Sequence, residues 1–270
     1  MRPVILCDLD GVVWLAHRAI PGSSDAVARL REAGHRVLFV TNNSSATVAD
    51  QCAALAGVGI EATGDVVTSA MAGARLVRSG ERVLVCGGPG IREALERVDV
   101  EMVSAGDVDA GASVDAVMVG FHRDFDYDVM RRAATAVRAG ARLIGTNDDA
   151  TYPTPDGPIP GGGSILAAIA TAAGRAPVVA GKPHAPMAEV VRAIEPGVDA
   201  DAVMVGDRPS TDGAFATTVG CRFALVRSGV TTAGMSVASD PEWFEDVRPW
   251  FDGADLAAVA DHLLGVPPER

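Results

Sequence analysis

The sequence predicts an α/β fold in which parallel sheets are covered by helices on both faces. Short continuous apolar runs, such as residues 4–7 and 202–205, are typical of buried strands in such sheets. Alanine-rich amphipathic segments alternate with these runs, as the helices of β-α units do. The 270 residues are 48% hydrophobic, which is enough to form a sizeable core in one large domain or two small ones.

The elements of this fold can be placed in order along the chain. Strands are predicted at residues 4–7, 36–40, 66–67, 83–86, 116–119, 143–144, 178–180, 202–205 and 223–226. Helices are predicted at residues 23–33, 47–56, 69–79, 91–97, 127–139, a segment that ends at 173, 186–194, 211–219 and 255–264. We expect Ser23 or Ser24 to cap the first helix, because a serine hydroxyl accepts from an unpaired N–H group there, and Gly34 to end it.

The charge balance excludes some partners. The 35 acidic residues exceed the 23 basic ones, for a formal net charge of -12. We therefore expect neither a nucleic-acid partner nor a membrane partner. The apolar run at residues 4–7 is cut short by Asp8 and Asp10, so it is no signal peptide. The four cysteines show neither metal-ligand spacing nor a paired framework, which favours a cytoplasmic location.

Acidic side chains follow two of the predicted strands. Asp8 and Asp10 come directly after the first strand, and residues two apart on a strand share a face. Asp207 follows the strand at 202–205, and Asp212 begins the next helix, where an acid also stabilises the helix dipole. The carboxyl ends of parallel strands form the edge at which such sheets bind ligands. Three or four oxygen ligands at this edge suit Mg²⁺.

Neutral and basic groups follow two further strands. Thr41 and Asn42 come at the end of the second strand, where hydroxyl, amide and backbone N–H groups can bind phosphate oxygens. Lys182 follows the strand at 178–180 and is the single lysine in the chain, which otherwise uses arginine. We therefore expect this position to need a compact ammonium group. Together with the acids, these groups predict a site for a phosphate-bearing ligand.

Four motifs in this order resemble those of the haloacid-dehalogenase-like superfamily, and most closely those of its NagD and p-nitrophenylphosphatase-like branch. They are Asp8-Leu9-Asp10-Gly11, Thr41-Asn42-Asn43, Gly181-Lys182-Pro183 and Gly206-Asp207-Arg208-Pro209-Ser210-Thr211-Asp212. The resemblance covers almost the whole chain. It implies a Rossmann-like catalytic core formed by residues 1–79 and 177–270, an inserted α/β cap at residues 80–176 that sets substrate specificity, and a homodimer formed through the cap.

The resemblance also implies the roles of the site residues. Asp8 would be the nucleophile that forms an aspartyl phosphate, and Asp10 would protonate the leaving oxygen and then deprotonate water. The phosphoryl group would be bound by Thr41, Asn42 and Lys182. The Mg²⁺ ion would be bound by the carboxylates of Asp8 and Asp207 and by the carbonyl oxygen of Asp10, with Asp212 in support.

Substrate specificity is assigned by the resemblance to a loop of the cap. Residues 145–164 look like the signature of this branch, so Asn147, Asp149 and Tyr152 are expected to face the substrate. Tyr152 could stack on a flat ring, hydrogen-bond a sugar hydroxyl, or pack against nearby prolines. Two positions depart from the branch: His122 stands where an acidic residue is usual, and Ala46 where a basic residue is common.

The sequence therefore predicts a cytoplasmic, Mg²⁺-dependent phosphatase of a small phosphorylated metabolite, such as a sugar, glycerol, nucleotide or cofactor phosphate. Two alternatives stay open. A phosphotransferase or mutase of the same superfamily would use the same residues, and a non-catalytic module would only bind a phosphate ligand. The presence of both Asp8 and Asp10 favours an enzyme.

Overall fold

The structure is a computed structural model that describes residues 2–15, 17–152, 154, 157–235 and 247–267. It contains two compact units. The first unit is formed by Met1–Thr41, Ala49–Val67 and Val191–Arg270, and the second by Asn42–Val48 and Thr68–Val190. Each unit has its own parallel sheet with helices packed on it, which confirms the predicted α/β fold.

The strands and helices alternate along most of the chain. The strands are β1 (Ile5–Cys7), β2 (Trp14–Leu15), β3 (Arg18–Ala19), β4 (Val37–Thr41), β5 (Val66–Thr68), β6 (Arg82–Cys86), β7 (Glu101–Val103), β8 (Ala116–Val119), β9 (Arg142–Gly145), β10 (Thr151–Tyr152), β11 (Ile159–Pro160), β12 (Val178–Val179), β13 (Val203–Gly206), β14 (Arg222–Val226) and β15 (Phe251–Gly253). The helices are α1 (Ser23–Glu32), α2 (Val48–Gly57), α3 (Ser69–Ala74), α4 (Pro89–Leu95), α5 (Ala105–Asp109), α6 (Tyr127–Arg138), α7 (Gly162–Ala173), α8 (Ala185–Ile194), α9 (Ala214–Val219) and α10 (Leu256–Leu264).

The first unit contains a six-stranded sheet in the order β15-β14-β13-β1-β4-β5. Strand β1 lies in its middle, and Ile5 pairs in parallel with Val203 of β13 on one side and Val37 of β4 on the other. The side chains of β1 are completely buried, as expected for a strand covered on both faces. Residues that follow β1, β4 and β13 therefore leave the sheet at the same edge.

The second unit contains a five-stranded parallel sheet in the order β12-β9-β8-β6-β7. Alternate residues of its central strands belong to separate hydrophobic clusters, as the two-residue repeat of a strand requires. Leu84 and Val117 pack with α6 and α7, whereas Val83 and Met118 pack with α3 and α4. This unit extends beyond residues 80–176, and the boundaries given above for a cap remain a prediction.

The predicted serine cap of the first helix is wrong. Helix α1 has Gly22 as its N-cap, in a left-handed conformation with φ 82° and no side-chain cap bond. The hydroxyl of Ser23 instead donates to the carbonyl oxygen of Val13 at 2.9 Å, which ties the helix to the β2–β3 hairpin. A second difference lies before α9, where Pro209–Gly213 forms a π-helical turn in place of the regular helix start predicted at residue 211.

No helix in the described ranges combines the length and the apolar character that a membrane span requires. Part of residues 231–250, for which the sequence shows no clear pattern, lies outside the described residues. The described end of that stretch leads into β15, which the sequence did not predict.

Candidate active site

Three candidate residues leave the sheet of the first unit at one edge. Asp8 follows β1, Thr41 ends β4 and Asp207 follows β13. The backbone N–H of Asp8 donates to the carbonyl oxygen of Val205 at 2.9 Å, so the strand ladder still fixes its backbone. Thr41 and Asp207 are buried, and Asp8 is half-buried. The parallel strand order thus produces the convergence that the sequence predicts.

The carboxylates of Asp8, Asp207 and Asp212 form a compact cluster. One oxygen from each lies within 4.8 Å of the others. An oxygen of Asp207 accepts the backbone N–H of Val230, and an oxygen of Asp212 accepts that of Arg208 at 3.1 Å. Buried like charges at this distance repel one another strongly unless a cation neutralises them. The donor set is all oxygen and predominantly carboxylate, so these residues fit Mg²⁺.

Glycines make room for this cluster. A Cβ atom at Gly229 would lie 2.0 Å from Oδ2 of Asp207, and one at Gly11 would lie 2.4 Å from the same oxygen. A Cβ atom at Gly206 would lie 2.2 Å from the side chain of Asp212. Gly11 also has a φ of 87°, which side-chain-bearing residues rarely adopt. The backbone therefore approaches the carboxylates closely only because these positions lack side chains.

Asp10 lies just beyond β1 and is half-buried. The indole nitrogen of Trp14 donates to its Oδ1 atom at 3.1 Å. Trp14 was not predicted as a site residue, because a single tryptophan after a strand is more typical of the core than of a site. The tight turn at Gly11, which the sequence does contain, is the feature that brings the two side chains together.

Lys182 belongs to the second unit and is only 1% exposed. Asn42 binds its backbone on both sides: the Oδ1 atom accepts the N–H of Lys182 at 2.8 Å, and the amide Nδ2 donates to its carbonyl oxygen at 3.0 Å. The same Nδ2 group donates to Oδ2 of Asp149 at 2.9 Å. Both polar atoms of the Asn42 side chain are thus used within the protein.

Asn147 and Asp149 lie close to Asn42 in the second unit. The side-chain amide of Asn147 donates to the carbonyl oxygen of Asn42 at 2.9 Å, and the hydroxyl of Ser69 donates to that oxygen at 2.7 Å. The Oδ1 atom of Asn147 is buried and has no hydrogen-bond partner among the described residues. Of the predicted residues, Asn42, Lys182, Asn147 and Asp149 therefore form one connected network.

Tyr152 stands apart from this network. Its ring stacks on that of Phe121, with centroids 5.6 Å apart and planes at 17°. One face of Tyr152 is therefore covered by the Phe121 ring. The Nδ1–H group of His122 donates a hydrogen bond to the carbonyl oxygen of Gly120 at 3.1 Å, and the His122 ring packs edge-on against Phe125.

Comparisons with known proteins show which proteins this chain is similar to. A family model for haloacid dehalogenase-like hydrolases matches residues 5–101, and a second, HAD-hydrolase-like model matches residues 179–248. D-glycerol 3-phosphate phosphatase from Mycobacterium tuberculosis is 36% identical over 272 residues, which cover 98% of this chain and 73% of that protein.

Two solved structures extend the comparison to the fold. Glycerol phosphate phosphatase from Mycobacterium tuberculosis in complex with magnesium superposes with a TM-score of 0.83 at 34% identity, covering 96% of this chain and 76% of that chain. The p-nitrophenyl phosphatase from Archaeoglobus fulgidus gives a TM-score of 0.84 at 29% identity, covering 97% of this chain and 99% of that chain.

The chain belongs to the haloacid-dehalogenase-like superfamily, in its NagD and p-nitrophenylphosphatase-like branch. It is a phosphoric monoester hydrolase that acts on a small phosphate ester, with Mg²⁺ as its cofactor. The predictions of family, reaction class and cofactor are confirmed.

Proposed function

We propose that the protein hydrolyses the phosphate monoester of a small polyol or sugar through an aspartyl phosphate on Asp8. The observation that carries this proposal is the carboxylate cluster of Asp8, Asp207 and Asp212, with Asp10 two residues beyond Asp8. A relative with 36% identity is named for D-glycerol 3-phosphate, which supports a polyol phosphate. The Tyr152 ring, stacked on Phe121, has one face already covered, which favours a substrate without a large flat ring.

Asp8 and Asp10 carry the covalent steps of this proposal. A carboxylate oxygen of Asp8 attacks phosphorus, and the bond between phosphorus and the ester oxygen breaks as Asp10 gives that oxygen a proton. Asp10 then removes a proton from the water that attacks the aspartyl phosphate, which returns Asp8 as a carboxylate and releases phosphate. Asp8, Asp207 and the Asp10 carbonyl oxygen, with Asp212 in support, would hold Mg²⁺, which when bound would supply positive charge to the phosphoryl oxygens.

Thr41 and Lys182 bind the phosphoryl oxygens in this proposal, through a hydroxyl and an ammonium group. The prediction that Asn42 helps to bind phosphate stays a prediction, and its side chain has a further role in this proposal. Because its amide is bonded to the backbone of Lys182 and to Asp149, it fixes the position of Lys182. Asn147, with its buried and unpartnered Oδ1 atom, offers an acceptor to a substrate hydroxyl.

The remaining proposals concern the cap, the assembly and the location. Residues 80–176 act as a cap that sets specificity, and two chains pair through it. The described cysteines are all free thiols, which supports a cytoplasmic location. The substrate is then a phosphorylated metabolite of that compartment.

Phosphate release from a panel of small esters tests the proposed function. With Mg²⁺ we expect release that ranks polyol and sugar phosphates above nucleotides, and with EDTA we expect none. Addition of a free polyol should not divert the phosphate, since delivery to the acceptor would indicate a phosphotransferase. Activity that persists in EDTA would refute the metal site, and binding without release would indicate a non-catalytic module.

A further inference from the structure

We propose that Trp14 is a positioning residue for Asp10, and that its indole N–H holds the Asp10 carboxyl group in the orientation in which it serves the leaving group. The inference rests on the proposed function, in which Asp10 is the acid. The indole nitrogen donates to Oδ1 of Asp10 at 3.1 Å. An indole N–H group can only donate, so Oδ1 is an acceptor in this bond. The bond therefore restrains the rotation of the Asp10 carboxyl group.

The backbone around Trp14 fixes the direction of this hydrogen bond. The N–H of Gly11 donates to the carbonyl oxygen of Trp14 at 2.7 Å, and the N–H of Trp14 donates to that of Leu9 at 3.2 Å. Trp14 also pairs with Ala19 in the β2–β3 hairpin. These bonds close a tight turn, so the indole and the carboxylate approach each other without a long flexible segment between them.

The ring itself has little freedom to turn away. Trp14 is 1% exposed and is among the largest fully buried side chains of the described residues. The ring of His17 lies beside it, with centroids 5.1 Å apart. A buried N–H group without an acceptor is costly, so the bond to Asp10 is the arrangement that this packing favours. The carboxyl group is thus oriented before substrate binds.

Orientation of the acid matters most when the leaving group needs a proton. An alkyl phosphate releases an unstable alkoxide unless Asp10 transfers its proton to the ester oxygen as the P–O bond breaks. By contrast, p-nitrophenolate leaves as a stable anion. The ratio kcat/KM covers only the steps up to that bond cleavage, so the later attack of water does not enter it. Loss of the indole N–H should therefore affect alkyl esters selectively.

The test compares glycerol 3-phosphate with p-nitrophenyl phosphate in two variants. One carries 3-benzothienylalanine at position 14, which keeps the shape of the ring and replaces the N–H by sulfur, and the other is Trp14→Phe. We expect kcat/KM for glycerol 3-phosphate to fall about 10- to 100-fold, which is part of the roughly 10²–10⁴-fold that a positioned acid supplies. The value for the aryl ester should fall by less than about threefold. If Trp14→Phe does not fold, the isosteric variant alone gives the result.

Two further variants distinguish failure of the proposed function from failure of the proposed role of Trp14. Trp250→Phe alters a tryptophan of the same unit that lies away from the carboxylates, and it should leave both rates unchanged. Asp10→Asn should show the same selective loss as the Trp14 variants, only larger. If Asp10→Asn lacks this selectivity, the acid role in the proposed function fails. Suppose that Asp10→Asn shows the selective loss. The role of Trp14 is then refuted if the Trp14 variants lower kcat/KM equally for both esters, or lower it for neither ester.

Discussion

Both units of this protein are built on a parallel sheet, but the residues that follow their strands differ in charge. In the first unit, β1 and β13 lead directly into Asp8 and Asp207, which form a carboxylate cluster with Asp212. In the second unit, β9 leads into the uncharged Thr146, and the chain after β12 leads to Lys182. A parallel sheet therefore provides an edge at which ligands can bind, and the side chains that follow its strands determine the chemistry there.

The largest expected effect comes from replacing Asp8, the proposed nucleophile. Asp8→Asn should lower kcat by at least about 10⁴-fold, because an amide cannot attack phosphorus. The melting temperature should not fall, since the change also relieves repulsion within the cluster. Steady-state phosphate release and thermal unfolding check this. Asp25→Asn, which alters an exposed acid on α1, is the matched control and should keep full activity. Turnover in Asp8→Asn would contradict the assignment.

The role of the positive charge in the second unit is tested by replacing Lys182. Lys182→Gln should lower kcat/KM by about 10²–10³-fold, because a charged donor to the phosphoryl oxygens is lost. Lys182→Arg keeps the charge, but its larger planar group has to fit a side chain that is 1% exposed, so it should lose activity as well. Measurement of kcat/KM for both variants shows whether this position needs an ammonium group or only a positive charge. Full activity in Lys182→Arg would mean that the position needs only a positive charge.

A smaller effect is expected at Gly229, where the backbone approaches Asp207. The Cβ atom of Gly229→Ala would lie 2.0 Å from Oδ2 of Asp207, so the carboxylate has to move. We expect the Mg²⁺ concentration for half-maximal activity to rise about 10- to 100-fold. Gly57→Ala is the control, since a Cβ atom there has no neighbour within 4 Å. Equal Mg²⁺ requirements in the two variants would refute the close approach.

The smallest effect concerns one thiol in each unit: Cys86, which is buried, and Cys221, which is half-buried. Burial raises the pKa of Cys86 from its ordinary 9.0 to about 12, and that of Cys221 to about 11. Above pH 9 the unfolded chain loses these protons while the folded chain keeps them, so the free energy of unfolding decreases as pH rises. The slope reaches at most about 1.4 kcal/mol per pH unit for each thiol.

Urea unfolding at pH 8 and pH 10 measures this decrease. Cys86→Ala should make the free energy of unfolding less dependent on pH, because one of the two groups is removed. Cys221→Ala should act in the same direction and by a similar amount, since both folded thiols stay protonated up to pH 10. An unchanged pH dependence in both variants would show that neither thiol remains protonated in the folded protein.

The strands of both sheets were largely predictable because they are buried on both faces. A continuous apolar run marks such a strand, and β8 was predicted with its observed bounds, Ala116–Val119. Strand β7 and helix α5 were missed. Glu101–Val103 contains one buried residue, and Ala105–Asp109 contains none, so neither segment has an apolar pattern to recognise.

The site was predictable in its residue types but less so in its contacts. The position of Asp8 and Asp207 at strand ends follows from the alternation of elements, and the structure brings their carboxylates together. The orientation of Asn42 toward the backbone of Lys182 depends on contacts 140 residues apart in the chain, which no local pattern contains. The bond from Trp14 to Asp10 depends likewise on how one turn closes.

The pairing of β1 with β13 has a consequence for how the protein is made. Ile5 pairs with Val203, so the strand that leads to Asp8 lacks one of its two neighbours until most of the chain has left the ribosome. The sheet of the second unit, from β6 to β12, lies wholly within residues 82–179 and can form earlier. Contacts between such distant segments form slowly. A nascent or truncated chain that lacks β13 therefore contains Asp8, the proposed nucleophile, but lacks the strand that leads to Asp207.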